Sequence, residues 1–341
     1  MISTRLTRML DIRHPVIQAG MGGVARAELV AAVSNAGAFG MLGMIRQAPD
    51  FIREQIRKTR ALTNHPFGVN LVPPVAPPAG FESQLDVCLE ERVSVVSLFW
   101  CDPAPFVERC RAAGVRVMLQ AGSVEEARRA AAVGVDVIVI QGVEAGGHVR
   151  GQVGLLPLLP TVSDAVSPLP VVAAGGIVDG RGLAAALALG AEGVWVGTRF
   201  VASDESEAHP EYKKRLLGSC ETDTVYTETF HVGWPPHSPH RALRNSLTDG
   251  GSPPPGSVAR VRLGDQTVEV PPFGSATPNS THGRSDGAHG QLCRPGGWPD
   301  PQYPARSGDR GADDLRSPND HAAAADDAGV RGAGWSVPPW A

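Results

Sequence analysis

Lysine is almost missing from this chain. Only Lys58, Lys213 and Lys214 occur in 341 residues, and none ends a segment that reads as a strand. An aldolase or a phosphate-sugar isomerase would want a lysine or a carboxylate pair at strand ends, so the scarcity argues against both. The five cysteines, Cys88, Cys101, Cys110, Cys220 and Cys293, form no CxxC pair and no framework spacing, which points to thiols in a reducing compartment. No apolar run is long enough to span a bilayer, and no early stretch combines a basic region, an apolar core and a cleavage site. The expectation is a cytoplasmic protein. Net charge is only −4 and the positive residues are dispersed rather than striped, so neither nucleic acid nor an anionic membrane is an expected partner.

What is present suits an ordinary globular protein, with 42% hydrophobic and 19% charged residues and enough length for a sizeable core. Short β-type runs alternate with Ala-rich helical stretches. Strands fit Pro15–Gly20, Gly40–Ile45, Phe67–Val72, Val93–Phe99, Val115–Leu119, Val135–Ile140, Pro170–Ala174 and Gly193–Val196. Helices fit Ala27–Asn35, Val124–Ala132 and Arg181–Leu189 between them. Several runs are apolar throughout, as parallel strands buried on both faces require. Eight such strands before residue 200 predict an α/β fold, a (β/α)8 TIM barrel over residues 1–220, rather than an open doubly wound sheet. A smaller inserted or C-terminal helical segment follows, with residues 221–275 set against the barrel mouth, and 276–341 read as a disordered tail.

In such a barrel the chemistry sits on the loops after the strands. The polar and glycine-rich motifs fall there. Gly20-Met21-Gly22-Gly23 follows the first strand, Asn70 ends the third, Gln120-Ala121-Gly122 follows the fifth, and Gln141 to His148 follows the sixth. Gly175-Gly176 follows the seventh and Gly197-Thr198 the eighth, where barrels commonly bind phosphate through backbone N–H groups and a helix N-terminus. In Glu144-Ala145-Gly146-Gly147-His148, glycines let a planar ring or an anion approach, and the histidine can move a proton near neutral pH. Each motif has a plainer account: a turn at Gly20–Gly23, a cap at Asn70, a helix start at Thr198, a hydrogen-bonded loop histidine at His148. Their joint position at one end of successive strands favours a ligand.

These residues resemble the FMN-dependent nitronate monooxygenases, once called 2-nitropropane dioxygenases, and their relatives the flavin enoyl-ACP reductases. The resemblance spans roughly Leu6 to Asn245. It rests on Pro15-Val-Ile-Gln-Ala-Gly-Met21, Ala27-Glu-Leu-Val-Ala-Ala-Val-Ser-Asn-Ala-Gly37, Phe67-Gly-Val-Asn70 and Glu144-Ala-Gly-Gly-His148. It continues in Ala173-Ala-Gly-Gly-Ile177, Asp179-Gly-Arg-Gly182, Ala185-Ala-Leu-Ala-Leu-Gly190 and Gly197-Thr-Arg-Phe200. The similarity implies FMN lined by Asn70, Gln141, Gly146, Gly176 and the stretch Trp195, Val196, Gly197 and Thr198. The loop positions Met21, Gly22, Gly147 and Gly175 complete the expected cofactor set. His148 is then the group that acts on substrate, as base toward a neutral nitroalkane or, protonated, as a partner for nitronate oxygens. The implied reaction takes a small nitroalkane or nitronate and O2 to a carbonyl compound and nitrite, and FMN carries the redox chemistry.

An NAD(P)H-dependent flavin reductase of a quinone or enoyl-thioester shares the same features, and an inactive barrel remnant is the non-enzymatic alternative. His231, His237 and His240 fit no strong zinc pattern, so no metal is expected. Trp234 reads as packing rather than cofactor stacking. After about Gly283, Ala, Gly, Pro, Asp and Arg dominate, and the composition cannot build a core. Family members instead carry a Tyr-Ala-Gly-Gln-Gly-Val-Gly-Leu-Ile type segment near their end. Back-translating Leu292 to Pro301 one base later gives codons that can encode it. The expectation is a reading-frame shift between about Ser275 and Gln291, leaving an out-of-frame tail without the family's closing helices.

Overall fold

The computed structural model describes residues 2–283 apart from 77, 254, 264–265, 276 and 280–281. The tail and the proposed frame shift therefore fall largely outside the described residues.

Eight parallel strands, β1 (Val16–Gln18), β2 (Gly40–Gly43), β3 (Phe67–Leu71), β4 (Val95–Phe99), β5 (Arg116–Ala121), β6 (Val137–Gln141), β8 (Val171–Ala174) and β9 (Gly193–Val196), make one sheet. The two-residue strand β7 (Gly147–His148) lies in the loop after β6 and joins a different sheet. The barrel order is β1-β9-β8-β6-β5-β4-β3-β2, and a parallel bridge between Ile17 and Phe39 brings the first and last strands together. Gln18 locks that seam. Its buried amide donates to the Met41 carbonyl and accepts from the Met41 N–H, both at 3.1 Å. A buried side chain that satisfies two backbone groups here replaces ladder bonds that the shear of a closed barrel leaves open.

The strands are apolar throughout because both faces are covered. Ile17, Met41, Val95, Met118, Val137, Val139, Val172 and Trp195 fill the interior, with Leu6 and Leu10 of the helix Arg5–Leu10 packed among them. The alternate residues, such as Val96, Leu119, Ile138, Ala173 and Val196, pack against the surrounding helices. Local signals set the helix ends. Ser123 accepts from the Glu126 N–H at 3.2 Å to start Val124–Val133, and Gly134 ends it at φ +85°.

Beyond the barrel, one expectation is corrected. After the short helix Pro210–Leu217, the segment read as helical carries strands: β10 (Thr224–Thr227), β11 (His240–Leu243), β12 (Ala259–Leu263), β13 (Gln266–Val270) and β14 (His282–Gly283). The β-branched and aromatic run Thr-Val-Tyr-Thr favours a pleated strand over a helix. β10 pairs antiparallel with β11, and β11 pairs antiparallel with β7. This second sheet thereby reaches the loop after β6, at the C-terminal end of the barrel.

Candidate active site

The loop after β6 is built by hydrogen bonds that sequence alone does not reveal. Gln141, buried at the end of β6, donates from Nε2 to the His148 carbonyl at 3.0 Å and accepts the Arg150 N–H at 2.9 Å. Its amide thus folds residues 148–150 back over the strand end. The Glu144 carboxylate accepts the Leu155 N–H at 2.9 and 3.0 Å, satisfying a donor at the start of the helix Leu155–Val166. Glu144 is therefore a cap, and His148 is the group of this motif left for chemistry.

His148 faces an unusual set of neighbours. Its register partner across β7 and β11 is His240, so the two side chains share one face, with ring centroids 5.2 Å apart. Trp234 stacks on the His148 ring at 3.4 Å and 14° from parallel. Trp100 meets it edge-on at 6.4 Å. The Nε2 of His148 is buried without a hydrogen-bond partner. Burial, reinforced by His240 and Arg46, pushes the His148 pKa down to about 2. Burial likewise lowers that of His240 to about 4, with the Ser238 backbone opposing the shift. Both imidazoles are neutral near pH 7. Burial therefore disfavours a standing imidazolium at His148, the form suggested for holding nitronate oxygens.

All but one of the residues expected from the sequence line a single cleft of about 1540 Å3: Met21, Gly22, Asn70, Gln141, Gly146, Gly147, His148, Gly175, Gly176, Trp195, Gly197 and Thr198. Val196 does not. The alternation of β9 turns its side chain outward into the helix-facing core, while Trp195 points inward. Asn70 is held by Ser97, donating to the carbonyl at 3.3 Å and the hydroxyl at 3.4 Å. Gly20 is required by this packing, since a Cβ there would lie 2.2 Å from the Cβ of Asn70.

The loops after β6, β8 and β9 form a shallow cradle. Gly175 at φ +115° and Gly176 at φ +66° hold backbone conformations unfavourable to L side chains, and a Cβ on Gly146 would come within 3.1 Å of Thr198 Oγ1. Arg199 adds a positive charge to the same wall. At the start of the helix Gly180–Ala188, Asp179 already accepts the Arg181 N–H at 2.9 Å. An anionic group here would be met by glycine backbone, Thr198 and Arg199, so these residues fit the phosphate of a flavin mononucleotide. The inner wall, with Asn70, Gln141 and His148, offers polar groups to a ring system.

The wall opposite was largely missed from sequence. Trp234, Arg46, Arg241 and Phe99 all line the cleft. Arg241 donates to the Val143 carbonyl at 3.0 Å and lies over Tyr226 at 5.8 Å, tying β11 to the β6 loop. Trp234, read from sequence as packing, stacks on His148 and also lines the cleft. Among the described residues there is no cluster of three metal-ligating side chains, and no helix is long and apolar enough to cross a membrane.

The chain is similar to known proteins. The family model for nitronate monooxygenase matches residues 3–81 and 73–259. A Mycobacterium tuberculosis (3aS,4S,5R,7aS)-5-hydroxy-7a-methyl-1-oxo-octahydro-1H-indene-4-carboxyl-CoA dehydrogenase is 40% identical over 266 residues, covering 76% of this chain and 72% of that protein. A probable nitronate monooxygenase from Staphylococcus saprophyticus is 36% identical over 273 residues, covering 67% of this chain and 76% of the relative. The solved structure of FabK from Thermotoga maritima superposes with a TM-score of 0.67 at 40% identity, covering 72% of this chain and 76% of FabK. The family match spans most of the described residues, barrel and mouth sheet together, and the chain belongs to the nitronate monooxygenase family of oxidoreductases.

Proposed function

We propose that this chain binds FMN and oxidises nitroalkanes or their nitronates with O2, giving a carbonyl compound and nitrite. The observation that carries the reading is His148: a half-buried imidazole lining the cleft, with its Nε2 unclaimed by any protein group. A neutral nitroalkane must lose its α-proton before its electrons can leave, and the unpartnered Nε2 of His148 is the lone pair in the cleft that could take it. Bound FMN would supply the redox chemistry, passing electrons from substrate to O2. Gly146, Gly175, Gly176, Thr198 and Arg199 would hold its phosphate, while Asn70 and the Gln141-clamped loop would meet its ring. Trp234, Phe99 and Trp195 give apolar walls that exclude water from the reacting carbon. A cytoplasmic location suits the thiols Cys88, Cys101, Cys110 and Cys220, all free of disulfides.

A second reading draws on size. The cleft exceeds the roughly 300–1,000 Å3 of a typical one-ligand pocket, and Arg46, Arg199 and Arg241 line it. Such a space suits a bulky anionic acyl-thioester handled by an NAD(P)H-dependent flavin reductase, and the similarity to a carboxyl-CoA dehydrogenase favours the same class.

The two readings part on one experiment. The purified chain, reconstituted with FMN, is assayed for O2 uptake with propionate 3-nitronate and, separately, for flavin bleaching with NADH. Nitronate-dependent uptake without NADH supports the first. Bleaching by NADH with no nitronate response overturns it in favour of the second.

A further inference from the structure

No hydrogen bond fixes the Nε2 end of the His148 ring, so its orientation must come from packing. The main contact is Trp234, parallel to the imidazole at 3.4 Å. Overlap this close keeps water from one face of the ring and opposes its tilting. Trp234 is itself braced. Its Nε1 donates to Ser275 Oγ at 2.8 Å, and the Gly233 carbonyl before it accepts from Arg46 at 2.5 Å. The rings of Trp100 and Phe99 meet it edge-on at 5.8 and 6.5 Å.

Behind this brace stands a strained residue. Trp100 adopts φ +63° at the end of β4, a conformation that a bulky L residue keeps only when its surroundings impose it. The Arg150 guanidinium covers its ring at 5.0 Å and is anchored on Glu126 at 2.6 Å. A continuous set of contacts therefore runs from the helix Val124–Val133 through Glu126, Arg150, Trp100 and Trp234 to His148. The charged and titratable groups acting on His148 are His240, from β11, and Arg46, from the loop after β2. Both disfavour a cation at His148, whereas Trp234, Trp100 and Phe99 are uncharged.

We infer that Trp234 is a positioning residue for His148: the braced indole fixes the plane of the imidazole and shields it from water, so the ring acts only as a neutral proton acceptor. This rests on His148 being the working base. The direction of the His148 pKa shift agrees with it, since burial is the largest cause.

The test is histidine NMR on the full chain labelled in its imidazoles, with the His148 signals assigned by their loss in His148→Gln. In the wild-type protein the carbon-bound ring protons of His148 should be displaced upfield by the indole, and the ring should not titrate down to about pH 4. Trp234→Phe should preserve both properties. Trp234→Leu should let the midpoint climb above about 5, toward the ordinary histidine value of about 6.5. With an active substrate it should lower kcat by about tenfold or more while changing KM far less. A wild-type ring without the upfield displacement, or a Trp234→Leu ring that still refuses to titrate, overturns the inference. Should Trp234→Leu fail to fold, the wild-type displacement and the Trp234→Phe titration decide alone. No NMR arm involves a nitronate, so failure of the nitronate reading leaves a distinct signature: silent turnover with these ring properties intact.

Discussion

Gln141 and His148 are joined by a 3.0 Å hydrogen bond from a side-chain amide to a backbone carbonyl, seven residues along the chain. The same amide oxygen receives the Arg150 N–H. One buried side chain thus sets the path of the loop that carries the candidate base, while His148 keeps its ring free of the fold's own bonds.

Replacing Gln141 should consequently act on the loop more than on the barrel. Gln141→Leu leaves a carbonyl and an N–H without partners, at a cost of about 1–3 kcal/mol for each group that stays buried. A shift of His148 by about 1 Å would lower turnover on the order of 100-fold. Thermal unfolding and steady-state kinetics measured together check this. A variant with unchanged turnover would show that the clamp does not position the histidine.

Removing the base should separate substrates by whether a proton must leave. His148→Gln should slow oxidation of a neutral nitroalkane by roughly 10²–10⁴-fold, the usual worth of a general base. A preformed nitronate has already lost its proton and should suffer much less. Oxygen uptake with a nitroalkane and with its nitronate, assayed in parallel, gives the ratio, and equal losses for both would argue that His148 only binds substrate.

The barrel was legible because parallel strands covered on both faces must be apolar at every position. Gly193–Val196 is a strand with the limits the sequence suggests, and Val93–Phe99 shortens only to Val95–Phe99. The outward direction of the Val196 side chain follows from the same alternation that turns Trp195 inward. The mouth was not legible. Gly147–His148 reads as loop, and its pairing with His240 depends on a register between distant segments that no local pattern encodes. Trp234 read as packing, and the ring it packs on, His148, is known only from the fold.

Glycine at 175 is expected to be indispensable to the cradle. At φ +115° an alanine is strained, and its Cβ would lie 3.1 Å from the Ala145 N–H nitrogen in the neighbouring loop. Gly175→Ala should cost about 1–3 kcal/mol locally and weaken FMN binding at least about tenfold, with the barrel's circular dichroism retained. Titration with FMN followed by flavin fluorescence checks it. Wild-type affinity in this variant would remove the loop after β8 from the cofactor site.

Acid stability offers the last test, because two neutral imidazoles are held in the same corner. The pKa of His240 is pushed down to about 4 and that of His148 to about 2, both below the value of about 6.5 in an unfolded chain. As pH falls through 6.5 the unfolded chain takes up these protons before the folded one does. Stability is therefore full above about pH 6.5 and declines below it, by at most about 1.4 kcal/mol per pH unit for each buried ring until its folded pKa is reached. The half-buried ring of His148 contributes less than that limit, so His240, almost fully buried, is the cleaner probe. His240→Phe keeps an aromatic ring against Phe230 and His148 while removing one titrating group. It should flatten the fall in unfolding free energy between pH 6.5 and pH 4.5, as read from urea titrations at several pH values. A slope identical to wild type would mean that His240 is hydrated or hydrogen-bonded enough to titrate normally in the folded protein.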